Sequence, residues 1–284
     1  MLKLLRAGVY RYCKSVAWWI CVAASFLAAI ICVQAEVGIY SSVVDATPLL
    51  FVQIIFACLI SLIAGREVSE NLIRNKILAG HAKEKALLSE VLLGIAACLI
   101  LLLVFIITLT AQIGELLSAI PLKVKVLVLL GTILLSIVCI MIDVLISLFF
   151  RHYAVSAIVC LLLAVGMAFG AGELQTVLQQ PEFTMGMEFV YNGKTGKHEV
   201  EFVQIKNPNY VQGNRRLFYR FLLNVLPYGH GIEYASVMTD HIQNEDPFQK
   251  ENGVVIDDNL YYAGGVILFL GVLGMFYFKR KDLK

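Results

Sequence analysis

The chain has 284 residues, 59% of them hydrophobic and 15% charged, with a mean hydropathy of +0.79. Soluble domains are roughly 45–50% apolar and about 25% charged, so water is not the only solvent of this chain. The net charge of +2 says little as a total, and the informative quantity is where the charges sit.

Residues 1–14 carry Lys3, Arg6, Arg11 and Lys14 and no acid, while Leu2, Leu5, Val9, Tyr12 and Cys13 fall on the other helical face. This predicts an amphipathic helix in the membrane interface, its basic groups toward anionic headgroups. A basic flank that only fixes topology would carry the same pattern. Uncharged runs follow at 15–35, 46–65, 91–114, 126–150, 152–172 and 259–278, interrupted only by Asp143 in the fourth. Each has about 20 residues or more, enough at ~1.5 Å per residue to cross ~30 Å of hydrocarbon. Trp18, Trp19, Tyr153, Tyr261, Tyr262 and Tyr277 stand near their ends, as an interfacial aromatic belt requires. The first run exceeds the ~7–15 residues of a signal-peptide core and five more follow, so it is expected to be a retained helix.

Basic residues resist translocation, and their distribution orients the chain. Fourteen Lys and Arg residues fall in 1–14, 66–90, at Arg151 and in the tail after 278. On the other side, 36–45 has none, the third-to-fourth connection has Lys123 and Lys125, and 173–258 has seven beside twelve acids. Both termini are therefore expected in the cytoplasm. The seven cysteines all lie in apolar runs or in 1–14, where single cysteines behave as small hydrophobes.

Residues 173–258 are long enough for a small domain. Alternating apolar residues predict strands at 187–191 and 198–205, joined by a turn at Asn192-Gly193-Lys194-Thr195-Gly196. After Asn207-Pro208-Asn209, helical spacing of Leu217, Phe218, Phe221, Leu222 and Val225 predicts a helix with Asn214 as N-cap and Pro227 at its close. Helix is not expected around His230 and Glu233, and 238–258 reads as polar loop. The expected fold is an all-α polytopic membrane protein: an interfacial helix 1–14, helices 1–5 within 15–172 with a cytoplasmic loop 66–90, an α+β extracellular domain 173–258, helix 6 at 259–278 and a tail 279–284.

Chemistry of its own is not evident. The Gly193-Lys194-Thr195 triplet has Glu188 where a phosphate loop needs its first glycine, so no nucleotide-binding motif is present and no enzymatic activity is expected. His81, His152, His198, His230 and His241 form no metal-ligand spacing, and no Gly-x-Ser-x-Gly elbow occurs. The loop at 66–83 is the most informative segment. Arg66, Glu70 and Arg74 stand at i, i+4 and i+8 and can pair along one face, with Leu72, Ile73, Ile77 and Leu78 apolar and Gly80 ending the helix. Such a helix held beside the membrane is either a docking surface or a solvated connector.

Glu67 and Glu70, followed by Asn71-Leu72-Ile73-Arg74-Asn75-Lys76-Ile77-Leu78-Ala79-Gly80, resemble the cytoplasmic loop of type-2 permeases of ABC exporters, particularly bacterial ones linked to peptide or antibiotic export and immunity. The resemblance extends to the plan of an amphipathic start, six spans and an external region between the fifth and sixth. It implies that Glu67, Glu70, Asn71, Arg74, Asn75, Lys76, Gly80 and Lys83 belong to a coupling helix contacting separately encoded ATPase subunits. ATP and Mg would bind in that partner, with no cofactor in this chain. Two departures stand out: Lys83 replaces an arginine common after the glycine, and the external region is longer than usual. The implied partners are those ATPases, a second copy or a paralogous permease, and membrane lipids, but not nucleic acid. The implied site is the bacterial plasma membrane.

Asp143 is the only ionisable residue inside a span, costing about 2.5–3.5 kcal/mol on insertion scales. It either lines a transport path or serves as an interhelical hydrogen-bonding group. Gly166 and Gly170 form a Gly-x-x-x-Gly pair that fits a dimer interface or packing within the chain. The functional expectation is export of an amphiphilic substrate. The alternative is a membrane sensor or immunity protein that binds a ligand through 173–258.

Overall fold

A computed structural model describes residues 2–36, 47–118, 120–150, 152–192, 197–242 and 256–280. Each of the six apolar runs forms one long helix: α2 (Val16–Glu36), α3 (Thr47–Ser69), α5 (Lys83–Ser118), α6 (Leu122–Phe149), α7 (Tyr153–Gln179) and α10 (Ile256–Arg280). All six are long and apolar enough to cross a membrane, which makes the chain an all-α polytopic membrane protein. Helix is the economical choice there, because hydrocarbon offers backbone N–H and C=O groups no other partner. The shorter helices are α1 (Leu2–Lys14), α4 (Leu72–Leu78), α8 (Asn214–Val225) and α9 (Pro227–Ile242).

The core centres on α3. Val52, Phe56, Leu59 and Ile60 of α3 meet Leu101 and Phe105 of α5 and Ile140, Val144 and Leu148 of α6 in one buried cluster. Small residues set the close approaches. A Cβ at Gly94 would stand 3.0 Å from Ile60 Cδ1 and 3.1 Å from Ile140 Cγ2, where three helices converge. A Cβ at Gly65 would stand 3.1 Å from Tyr153 Cα, which pins the end of α3 to the start of α7.

Several helices run past the uncharged stretches that predict them. Strong helix formers in Lys83-Glu84-Lys85-Ala86-Leu87-Leu88 carry α5 two turns beyond the apolar run, and α6 begins at Leu122, ahead of Lys123 and Lys125. The expected loop at 66–90 is therefore mostly helix. α3 continues to Ser69, α4 follows, and α5 starts at Lys83.

Helix α1 forms as expected, but its orientation corrects the predicted faces. Leu4, Gly8 and Tyr12 are buried, whereas Val9 and Cys13 are exposed. The cause is a close approach to α5: a Cβ at Gly8 would stand 2.1 Å from Leu93 Cδ1, so a larger residue there would have to displace the Leu93 side chain. That rotation also brings half-buried Arg11 within reach of Glu67 of α3. Trp19 Nε1 donates to Cys13 O at 3.0 Å and closes the end of α1.

Between α7 and α10 lie a two-stranded antiparallel ribbon, β1 (Phe183–Asn192) and β2 (Lys197–Lys206), and then α8 and α9. Both strands are longer than predicted, pairing from Phe183↔Lys206 to Asn192↔Lys197, and turn residues 193–196 lie outside the described residues. Asn207 fastens the ribbon's exit: its Nδ2 donates to Gln180 Oε1 and Pro181 O, each at 3.1 Å, while its Oδ1 accepts from Asn209 N at 2.9 Å. Asn214 is the first residue of α8 and not its cap, because Gly213, at φ 63, occupies the cap position. Pro227 does close α8, and it opens α9, where its missing N–H costs nothing. Helix α9 takes in His230, Glu233 and 238–242, all expected to be non-helical, whereas 243–255 lies outside the described residues.

Helices α8 and α9 form a hairpin folded back among the spans. Helix α8 starts beside the end of α7, where Arg216 Nη2 donates to Leu178 O at 2.8 Å. It runs inward until Leu223 shares a buried cluster with Cys160 and Ala164 of α7, Ala57 of α3 and Cys139 of α6. Tyr228, just past the turn, joins the same cluster. Helix α9 then returns until the Tyr234 ring lies where a Cβ at Gly131 would be, 2.2 Å from Tyr234 Cζ. This segment is thus split between a ribbon and a hairpin built into the bundle.

Candidate functional site

The charged connection after α3 assembles the most constructed polar site among the described residues. At its start, Arg66 Nε donates to Glu70 Oε1 at 2.6 Å, an exposed pair one helical turn apart. The helix breaks immediately afterwards, because Asn71 adopts φ 56, a left-handed conformation that asparagine tolerates better than most residues. That break corrects the expectation that Arg66, Glu70 and Arg74 share one face, since Arg74 sits on a separate helix. Helix α4 ends where expected: Gly80, at φ 89, donates its N–H to Ile77 O at 2.9 Å, and His81 N donates to Lys76 O at 3.3 Å.

Beneath α4, four charged residues from four helices converge. Lys76 of α4 donates to Glu67 Oε2 of α3 at 2.5 Å and also to Glu90 Oε1 of α5. Arg11 Nη1 of α1 pairs with Glu67 Oε1 at 2.8 Å. The Glu67 and Glu90 side chains are only 5% and 1% exposed, a placement that requires matched charge, and two cations answer two carboxylates. Tyr12 closes the back of the cluster. Burial, and then the Glu90 and Glu67 charges, hold its phenol well above the ordinary tyrosine range, so it stays protonated. Ile73 is buried under α4 and adds an apolar anchor.

The opposite side of α4 faces outward. Arg74, Asn75, Leu78, Ala79 and Gly80 are exposed, Leu78 by 74%. The residues singled out from the loop therefore divide in two. Glu67 and Lys76 are internal ties; Glu70 holds Arg66; Asn71 makes the break; Arg74, Asn75 and Gly80 present themselves. Half-buried Lys83 donates through Nζ to Lys279 O at 3.4 Å, joining the start of α5 to the end of α10. Sequence reasoning missed Arg11 and Glu90. Glu90 carries a signal in retrospect, being an acid directly abutting an uncharged run.

Asp143 is buried deep in the bundle and is enclosed by the chain itself. Cys58 of α3, Cys98 of α5, Cys139 of α6, Cys160 of α7 and Tyr228 of α9 all lie within electrostatic range of it. Nearby, Ser156 Oγ donates to Ser147 Oγ at 3.0 Å, a further polar tie between α6 and α7. At the hairpin turn His230 Nε2 lies 2.6 Å from Asn224 O. His230 and Glu233 share α9 but not a ligand: Glu233 Oε2 accepts from Asn259 Nδ2 of α10. Among the described residues no group of three His, Cys, Asp or Glu could hold a metal ion. Gly166 and Gly170 face open space among the described residues, where a Cβ at either would meet nothing within 4 Å.

No protein-family model, no curated protein and no solved structure matches this chain. The class that the fold defines is a six-span helical membrane protein.

Proposed function

We propose that this chain is the membrane-spanning permease subunit of an ATP-driven ABC exporter of the bacterial plasma membrane. In this reading both termini and α4 are cytoplasmic, by the distribution of Lys and Arg, and β1 and β2 are external. One observation carries the proposal: a short outward-facing helix is fastened, through Lys76, Glu67, Glu90 and Arg11, to three other helices at once. A connector that only closed a loop would not require three buried charges and a fourth, Arg11, half-buried beside them. A lever that receives force at Arg74 and Asn75 and passes it to α1, α3 and α5 does require a stiff mounting.

ATP and Mg bind in the partner subunits, and their closure pushes α4. A second copy of this chain, or a paralogous permease, completes the path for an amphiphilic peptide, antibiotic or lipid-like substrate. The test is affinity purification of the tagged full chain from its native host. An ATPase subunit is expected to co-purify with the unaltered chain and to be lost from an Arg74→Glu, Asn75→Ala variant that still elutes as a single species. Absence of any ATPase, or equal recovery with the variant, overturns the proposal.

A further inference from the structure

A cavity of about 660 Å³ opens between α1, the start of α2, the last turns of α3 and the first residue of α7. Its floor is apolar, made by Ala17, Leu62 and Ile63, which belong to the spanning helices. Its rim carries Arg11, Lys14 and Arg66, at the point where those spans end. The cavity therefore straddles the level at which hydrocarbon gives way to headgroups, and Tyr10 and Tyr153 flank it as interfacial aromatics do.

The charges on the rim are unequal. Glu67 and Glu70 also line the cavity, but Glu67 is already matched by Arg11 and, from behind, by Lys76. Glu70 engages Arg66 through Nε, one of the five donors of a guanidinium, and the Arg66 side chain is 67% exposed. Lys14 is exposed and rests 4.5 Å from the centre of the Tyr10 ring. What the rim offers to a ligand is cationic, and what the floor offers is apolar.

We propose that this cavity binds an anionic glycerophospholipid. Its phosphate lies between Lys14 and Arg66, and the first part of an acyl chain lies on Ala17, Leu62 and Ile63. The bound lipid would join α1 to α3 and α7 beside the buried ion cluster, whose Arg11 and Glu67 also line the cavity. This inference does not depend on the permease reading.

The experiment is native mass spectrometry of the detergent-purified full chain, titrated with phosphatidylglycerol, with phosphatidylcholine or with inorganic phosphate. Phosphatidylglycerol is expected to be retained in preference to phosphatidylcholine, and inorganic phosphate alone not to be retained. Lys14→Gln with Arg66→Gln should weaken phosphatidylglycerol retention by roughly fivefold per cation removed. Lys14→Gln alone, at an exposed position, gives the same comparison should the double variant not remain monodisperse. Equal retention of the two lipids, equal retention of phosphate, or unchanged retention by the Lys14→Gln chain overturns the proposal.

Discussion

Lys76 meets two carboxylates, and only one of them, Glu67, is close in sequence. The other, Glu90, comes from the far side of the α4–α5 turn, so α4 is tied to two helices by a single ammonium. Removing that ammonium leaves two buried carboxylates side by side. Lys76→Met is therefore expected to cost about 3–5 kcal/mol, read as a lowered unfolding temperature in detergent. Adding Glu90→Gln should restore part of the loss, because it removes the carboxylate left without a cation, Glu67 keeping Arg11. Arg74→Ala, an exposed neighbour on the same helix, should stay within about 0.5 kcal/mol of the unaltered chain. If Lys76→Met and Arg74→Ala were equally mild, the ion cluster would not be the mounting of α4.

At the scale of elements, the hairpin of α8 and α9 is the feature most dependent on tight backbone contact. A Cβ at Gly229 would stand 2.0 Å from the carbonyl oxygen of Leu223, which is main chain and cannot swing aside. Gly229→Ala must therefore open the turn and withdraw Leu223 and Tyr228 from Cys139 and Cys160. In a chain retaining Cys160 as its only cysteine, labelling by a membrane-permeant maleimide is expected to rise several-fold on Gly229→Ala. Unchanged labelling would mean that the turn adapts without leaving the bundle. The six long helices were legible in the sequence because hydropathy over about 20 residues leaves few alternatives. The ribbon was legible too, since strand alternation is a local signal. The hairpin was not: α8 and α9 are too short and too polar to register as membrane segments, and what holds them is the fit of Tyr234 beside Gly131 and of Leu223 beside Cys160, which exists only in three dimensions. The candidate site was legible in half. The exposed residues of α4 could be read from helical spacing, but the break at Asn71 and the partnership of Lys76 with Glu90 depend on backbone geometry and on a helix that starts seven residues later.

For the whole molecule, the distribution of open surface bears on assembly. Only 22% of the spanning window of α7 and 11% of that of α10 is buried, against 56% for α3 and α6, so α7 and α10 keep most of their surface open while α3 and α6 are central. The open surface of α7 includes Gly166 and Gly170, whose missing side chains leave room beside exposed Leu162 and Phe169. Helices that approach closely in membranes use small residues at such spacing, which gives the permease reading a specific expectation for its second copy. Gly166→Leu together with Gly170→Leu should leave the unfolding temperature of the isolated chain unchanged, because a Cβ at either position meets nothing among the described residues. The same pair should lower the dimer fraction in lipid nanodiscs or by light scattering in mild detergent. A lowered unfolding temperature with an unaltered oligomeric state would place the glycine pair against a part of this chain instead. No change in either quantity would assign it to lipid, and the second copy would then have to dock elsewhere on the open surfaces of α7 or α10.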